Sequence, residues 1–168
     1  PRRLADLGYD PAWSPDGKEI VFATGQHGPF ETGPSELWVV DVSNGTRRRL
    51  YDGNGRQPTW SPTGAKIAFH QGRGDQLLAA KLSISTIPAS GGKTTVAFEL
   101  EGTYGAQPEW TLNGIFFTNG AGGVLNVWKL EVDESTGAAP GAPVPVLVST
   151  TEREKAASSP GEYSGPRV

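Results

Sequence analysis

Pro11-Ala12-Trp13-Ser14-Pro15-Asp16-Gly17 runs directly into Lys18-Glu19-Ile20-Val21-Phe22-Ala23. The phrase returns as Pro58-Thr59-Trp60-Ser61-Pro62-Thr63-Gly64 followed by Ala65-Lys66-Ile67-Ala68-Phe69-His70. It returns again as Pro108-Glu109-Trp110-Thr111-Leu112-Asn113-Gly114 followed by Ile115-Phe116-Phe117-Thr118. The three tryptophans stand 47 and 50 residues apart. A period of about 40–50 residues is that of a propeller blade, in which one small sheet is repeated around an axis.

Each part of the phrase has a physical task. Ser-Pro-Asp-Gly suits a four-residue reverse turn. Proline sets φ near −65° at the second position, aspartate tolerates the third, and glycine accepts a positive φ at the fourth. The turn joins two short strands into a hairpin. Tryptophan closes the first strand and is expected to pack between neighbouring sheets. The alternation Ile20, Phe22 and Ile67, Phe69 turns one face of the second strand inward.

The rest of each unit reads as a second hairpin. Glu36 to Val42 goes out, Asn44-Gly45 turns, and Thr46 to Tyr51 returns. Ala80 to Pro88, Ser90-Gly91-Gly92 and Thr94 to Phe98 repeat the pattern. Val124 to Val132 and Val144 to Val148 repeat it once more, around a longer loop rich in Gly, Ala and Pro. The expectation is an all-β chain of three four-stranded antiparallel blades, over residues 5–51, 52–98 and 99–148. Residues 149–168 are expected to hold a linker and the first strand of a further blade. Pro1-Arg2-Arg3-Leu4 matches the outer strand Arg47-Arg48-Arg49-Leu50, and Pro166-Arg167-Val168 matches Pro58-Thr59-Trp60. The three blades are thus read as permuted by one strand, and the segment as half of a six-bladed ring or a piece of a larger one. A first residue of proline and the absence of methionine point to a processed or excised segment.

Composition narrows the function. The net charge of −3 offers no basic field for nucleic acid or an anionic membrane. No apolar run approaches a membrane span of about 18 residues, and no signal peptide is legible. Zero cysteines remove disulfides, thiolate catalysis and cysteine-based zinc sites.

Trp-Ser-Pro-Asp-Gly followed by Lys-Glu-Ile-Val-Phe resembles the WD40-like propeller repeat of the TolB family. The same repeat occurs in tricorn-type proteases, in prolyl-oligopeptidase-type propellers and in extracytoplasmic sensor regions of bacterial Ser/Thr kinases. Glu36-Leu37-Trp38-Val39-Val40-Asp41 and Leu125-Asn126-Val127-Trp128-Lys129-Leu130 resemble its third strand. The resemblance covers residues 1 to 148. It implies a non-enzymatic module that binds a protein or peptide, in a bacterial periplasm or another extracytoplasmic place. The TolB propeller itself works beside a peptidoglycan-associated lipoprotein. An alternative is the accessory propeller that gates substrate to a peptidase domain. Thr63 and Asn113 stand where the repeat has its turn aspartate, which marks the turn as architecture.

No catalytic signature is present. Gly-x-Ser-x-Gly is absent, Ala89-Ser90-Gly91-Gly92-Lys93 reads as a hairpin turn, and two histidines are few for zinc. Neither a cofactor nor a metal is expected, and Asp16 is read as a turn residue. Channel-facing positions Asp10 to Ala12, Gln57 to Thr59 and Gln107 to Glu109 offer only one Asp and one Glu. Binding residues concentrate on loops held by a rigid scaffold. The second-to-third-strand loops and the inter-blade loops leave one face of the propeller. His27, Phe30, Arg56, His70, Arg73, Asp75 and Tyr104 are the candidate protein-binding residues there. Three blades leave two open sheet faces. They are expected to be covered by a second copy, closing a six-bladed homodimer, or by further blades of a longer chain.

Overall fold

The computed structural model describes residues 3–4, 8–25, 34–72, 82–100, 105–120 and 125–147 of the 168. They form twelve strands in three four-stranded antiparallel sheets. Blade 1 holds β1 Tyr9–Trp13, β2 Glu19–Ala23, β3 Leu37–Asp41 and β4 Arg47–Tyr51. Blade 2 holds β5 Gly55–Trp60, β6 Lys66–Gln71, β7 Leu82–Pro88 and β8 Thr95–Leu100. Blade 3 holds β9 Gly105–Thr111, β10 Gly114–Asn119, β11 Asn126–Leu130 and β12 Val144–Leu147. Within each blade the strands pair in sequence order. The extra outer strand expected at residues 1–4 does not form at Arg3 and Leu4, which belong to no strand. Residues 1–2 and 148–168 lie outside the described residues.

The turns form as the sequence demands. Gly17 N–H donates to Ser14 O at 2.9 Å and Gly64 N–H to Ser61 O at 2.9 Å, with φ of 71° and 79° at the glycines. The serines cap these turns from beneath. Ser14 Oγ accepts from Glu19 N–H at 2.9 Å, and Ser61 Oγ accepts from Lys66 N–H at 2.9 Å. Asp16 is engaged inside its own turn, where Oδ1 accepts from Ser14 Oγ at 2.7 Å and from Lys18 N–H at 3.1 Å. The Ser14 hydroxyl and the Lys18 amide hold its carboxyl below the usual carboxylate range.

Two cores lie between the blades. The first joins Val21, Leu37 and Val39 of blade 1 to Trp60, Ile67 and Phe69 of blade 2. Tyr51 and Phe69 meet there with ring centroids 5.0 Å apart. The second joins Ala68, Ile84 and Leu100 of blade 2 to Trp110, Ile115 and Phe117 of blade 3. The sheets therefore pack face to face, and alternate residues of each second strand serve successive interfaces. The arginine run on β4 guards an edge, and it also bridges blades. Arg48 Nη1 donates to Ala89 O of blade 2 at 2.7 Å.

The long loop of blade 3 straps it to blade 2. Thr86 Oγ1 donates to Gly137 O at 2.8 Å, and the Thr63 hydroxyl donates to Glu134 Oε1. Where the repeat has its aspartate, Thr63 thus meets a carboxylate from the next blade, beside which a second carboxylate would be repelled. Burial works to raise the Glu134 carboxyl, but the Ser61 and Thr63 hydroxyls outweigh it and hold it below its ordinary value. A depressed folded value means the contact stabilises above the unfolded value and is lost as pH falls through the folded one. Thr63→Asp is expected to lower stability by about 1 kcal/mol at neutral pH through like-charge repulsion. The deficit should shrink below the carboxylate range. Urea titrations at neutral and acid pH test this, and a pH-independent deficit would refute the contact.

Candidate functional site

Each blade has a turn end, marked by the Trp-turn unit, and a loop end, where its second strand stops and its third begins. The interior is apolar at mid-blade, while the loop end has a bed of buried polar side chains. Ser35, Arg56, His70, Ser83, Ser85, Asn119 and Asn126 are all buried there.

The bed is built from backbone register outward. β5 and β6 place Gly55 opposite Gln71 and Arg56 opposite His70. Gly55 N–H crosses to blade 1 and donates to Ser35 O at 2.7 Å. Ser35 Oγ accepts from Gly25 N–H at 3.0 Å. Gly25 has no room for a side chain, since a Cβ would lie 2.8 Å from Ser35 Cβ and 3.2 Å from Arg56 Nη2. The Arg56 guanidinium of blade 2 thus reaches the loop end of blade 1. Its Nη1 donates to Asn54 Oδ1, and Asn54 Nδ2 donates to Gly72 O at 2.9 Å. Ser85 Oγ donates to Gln71 Oε1 at 2.8 Å. A buried arginine persists only where such partners replace its water. In blade 3 the buried Asn119 pairs in register with Asn126, and its Oδ1 meets no hydrogen-bond donor among the described residues.

Arg56 and His70, expected on a protein-binding surface, are each 2% exposed. They lie beneath that face, where Arg56 is held by Asn54. His70 shares the β6 face with Ala68, turned toward blade 3. His27, Phe30, Arg73, Asp75 and Tyr104 fall outside the described residues.

Sequence reasoning missed a feature of the inner strands. Asp10, Gln57 and Gln107 adopt φ of 51°, 50° and 48°, each at a register shift in β1, β5 or β9. Non-glycine residues there cost about 1–2 kcal/mol. Each precedes a proline, Pro11, Pro58 or Pro108, and a proline bars its predecessor from the right-handed helical region. The thrice-written polar-residue–proline pair was the available signal. Gln57 uses this posture to reach blade 3, where its Oε1 accepts from Gln107 N–H at 2.9 Å.

An open groove of about 420 Å³ follows the inner strands at the turn end, lined by Ala12, Trp13, Thr59, Trp60, Glu109 and Trp110 among others. Among the described residues, no three His, Asp or Glu side chains stand close enough to hold a metal ion. No helix there is long and apolar enough to cross a membrane.

No family profile matches the sequence, and no curated protein is similar to it. Solved structures are similar in fold. TolB from Acinetobacter baumannii matches 83% of this chain at 21% identity and a TM-score of 0.64. A protein assigned as TolB from Agrobacterium tumefaciens matches 88% at 19% identity and a TM-score of 0.65. The β-propeller domain of the trilobed protease from Pyrococcus furiosus matches 84% at 15% identity and a TM-score of 0.59. The chain spans 32%, 52% and 43% of those three chains. These likenesses define the class by fold: a partial β-propeller. Its blades are arranged as in TolB and in the propeller domains of peptidases.

Proposed function

We propose that the chain is a non-enzymatic propeller module that binds a protein or peptide at its loop end, in the bacterial periplasm or another extracytoplasmic place. The carrying observation is the buried polar bed under that end. Gly55 N–H bonds Ser35 O across the two blades, Gly25 N–H bonds Ser35 Oγ on one side and Arg56 bonds Asn54 on the other, with the guanidinium against Gly25, and the burial of such groups is costly unless they are paired. A mobile loop end would not need such bracing. A recognition surface does, because rigid supports lower the entropic cost of binding. The TolB likeness favours the same reading. The ring is completed by a second copy or by further blades of a longer chain.

Peptide-display selection against the 168-residue protein, followed by hydrogen-exchange mapping of the selected peptide, tests it. Protection is expected at residues 52–57 and 70–72. Protection confined to the turn end, at residues 61–65 and 111–114, would overturn the loop-end assignment, as would failure to select any peptide.

The likeness to the trilobed protease propeller, and to the acylaminoacyl peptidase of Pyrococcus horikoshii with a TM-score of 0.60, favours a second reading. There the module gates substrate to a peptidase domain. A hydrolase domain in the same reading frame would support it.

A further inference from the structure

The chain has five asparagines, and four of them, Asn44, Asn54, Asn113 and Asn119, are followed directly by glycine. Asparagine is a thermolabile residue, and glycine after it removes the main obstacle to its breakdown. The amide nitrogen of the second residue, once it loses its proton, adds to the side-chain carbonyl carbon of the first. Glycine has no Cβ to obstruct the ring that forms. The fold decides which pair reacts, because nitrogen and side-chain amide must both turn freely and water must reach them.

Three of the four pairs are restrained. At Asn44, Oδ1 accepts from Thr46 N–H at 2.7 Å and Gly45 N–H donates to Asp41 O at 2.8 Å. At Asn54, Oδ1 accepts from the Arg56 guanidinium and Nδ2 donates to Gly72 O at 2.9 Å, while Gly55 N–H donates to Ser35 O at 2.7 Å. Asn119 is 5% exposed and lies between Gly105 and Asn126 in the sheet. Asn113 differs. It is exposed at the tip of the third turn, and its side-chain amide has no partner among the described residues. Only its backbone N–H is engaged, donating to Thr111 Oγ1 at 3.1 Å. The corresponding turn residues Asp16 and Thr63 are exposed too, although another blade follows each of theirs, so the exposure belongs to the turn. Both of those tie their side chains down, Asp16 to Ser14 Oγ and Thr63 to Glu134.

We propose that Asn113 is a site of spontaneous deamidation. The Gly114 nitrogen bonds to Asn113 Cγ, and the Cγ–Nδ2 bond breaks. Nδ2 leaves as ammonia, carrying the proton that Gly114 N–H gave up. Water then adds to either carbonyl carbon of the cyclic imide, and that carbon's bond to nitrogen opens. One product is aspartate. The other is isoaspartate, in which the side-chain methylene has become part of the main chain. The third turn has no slack for the longer chain. Only Leu112 and Asn113 lie between the register partners Thr111 and Gly114, and a Cβ on Gly114 would stand 2.5 Å from Leu130 O. Isoaspartate therefore presses Gly114 against β11 and loosens blade 3, whereas aspartate changes only the charge. The site is at the turn end and does not depend on where a peptide binds.

Ageing the folded 168-residue protein in warm, mildly alkaline buffer tests this, with Asn, Asp and isoaspartate resolved at each position by peptide mass mapping. Position 113 is expected to convert about tenfold faster or more than 44, 54 or 119, since each of those must first break a hydrogen bond or open locally. In urea the four rates should draw together. Asn113→Gln should remove the fast phase and leave the slow ones, because the longer side chain closes a larger ring more slowly. The isoaspartate fraction, separated from the aged protein, should unfold at lower urea than Asn113→Asp. Equal rates in the folded chain, or another position converting first, would overturn the proposal. A ranking unchanged in urea would overturn it equally, by showing that the turn does not select the site. Equal urea midpoints for the isoaspartate fraction and Asn113→Asp would overturn the loosening of blade 3.

Discussion

Replacing Trp60 with Ala lowers the unfolding free energy by about 3–5 kcal/mol, the range for a fully buried large aromatic. The same replacement at Trp13 in the 168-residue chain costs under about 1 kcal/mol. The two residues occupy one position of one repeat, and their turns differ only at Asp16 and Thr63. Burial separates them, at 6% against 58% exposure. Trp60 belongs to the core between blades 1 and 2, with Leu37, Val39 and Phe69, and its indole N–H is bonded to the blade 1 backbone. Truncation there opens a cavity between two sheets and leaves the Ala12 carbonyl without its donor. At Trp13 more than half of the side chain already faces solvent, so its removal opens no enclosed cavity. Urea unfolding of both variants measures the difference. Equal costs would mean that the Trp13 ring is packed as closely as the Trp60 ring, and its exposure would be refuted.

Much of this fold was legible because the repeat was written three times. The tryptophan spacing, the turn residues and the alternating apolar positions each predicted the same four-stranded unit, and the twelve strands follow it. Two kinds of feature were not legible. Contacts between blades depend on which side chains meet across a distance of about one repeat, and no local pattern encodes that. Arg48 reads as an edge guard yet bonds Ala89 of the next blade. Thr63 reads as a lapse from the motif yet receives Glu134 from 71 residues away. The site was harder still. Arg56 and His70 read as surface residues because charged and imidazole groups at strand ends usually are. The burial of Arg56 rests on a glycine at position 25 that clears space for the guanidinium and on Asn54 that bonds it, and that of His70 on blade 3 packing over the Ala68 face of β6. Neither Gly25 nor Asn54 is unusual alone.

The third turn carries the other large effect. Gly114→Ala should destabilise the chain by about 3 kcal/mol, whereas Gly17→Ala should cost about 1 kcal/mol. Both glycines close the hairpin of a blade, but they are needed for different reasons. Gly17 has φ of 71°, inside the left-handed well, and a Cβ there would meet nothing within 4 Å. Its substitution carries only the backbone penalty. The third hairpin is shorter, since Thr111 and Gly114 are themselves register partners and only Leu112 and Asn113 lie between them. This tighter reversal drives Gly114 to φ of 115°, beyond the left-handed well that Asn or Asp can share. A Cβ there would stand 2.5 Å from Leu130 O, an atom of the β11 backbone held by the pairing of Ile115 with Leu130. Relief would require moving a paired strand, so the clash adds to the backbone penalty. Chemical denaturation of the two variants separates the cases. Equal losses would show that β11 yields freely and that the shortened turn is not held against it.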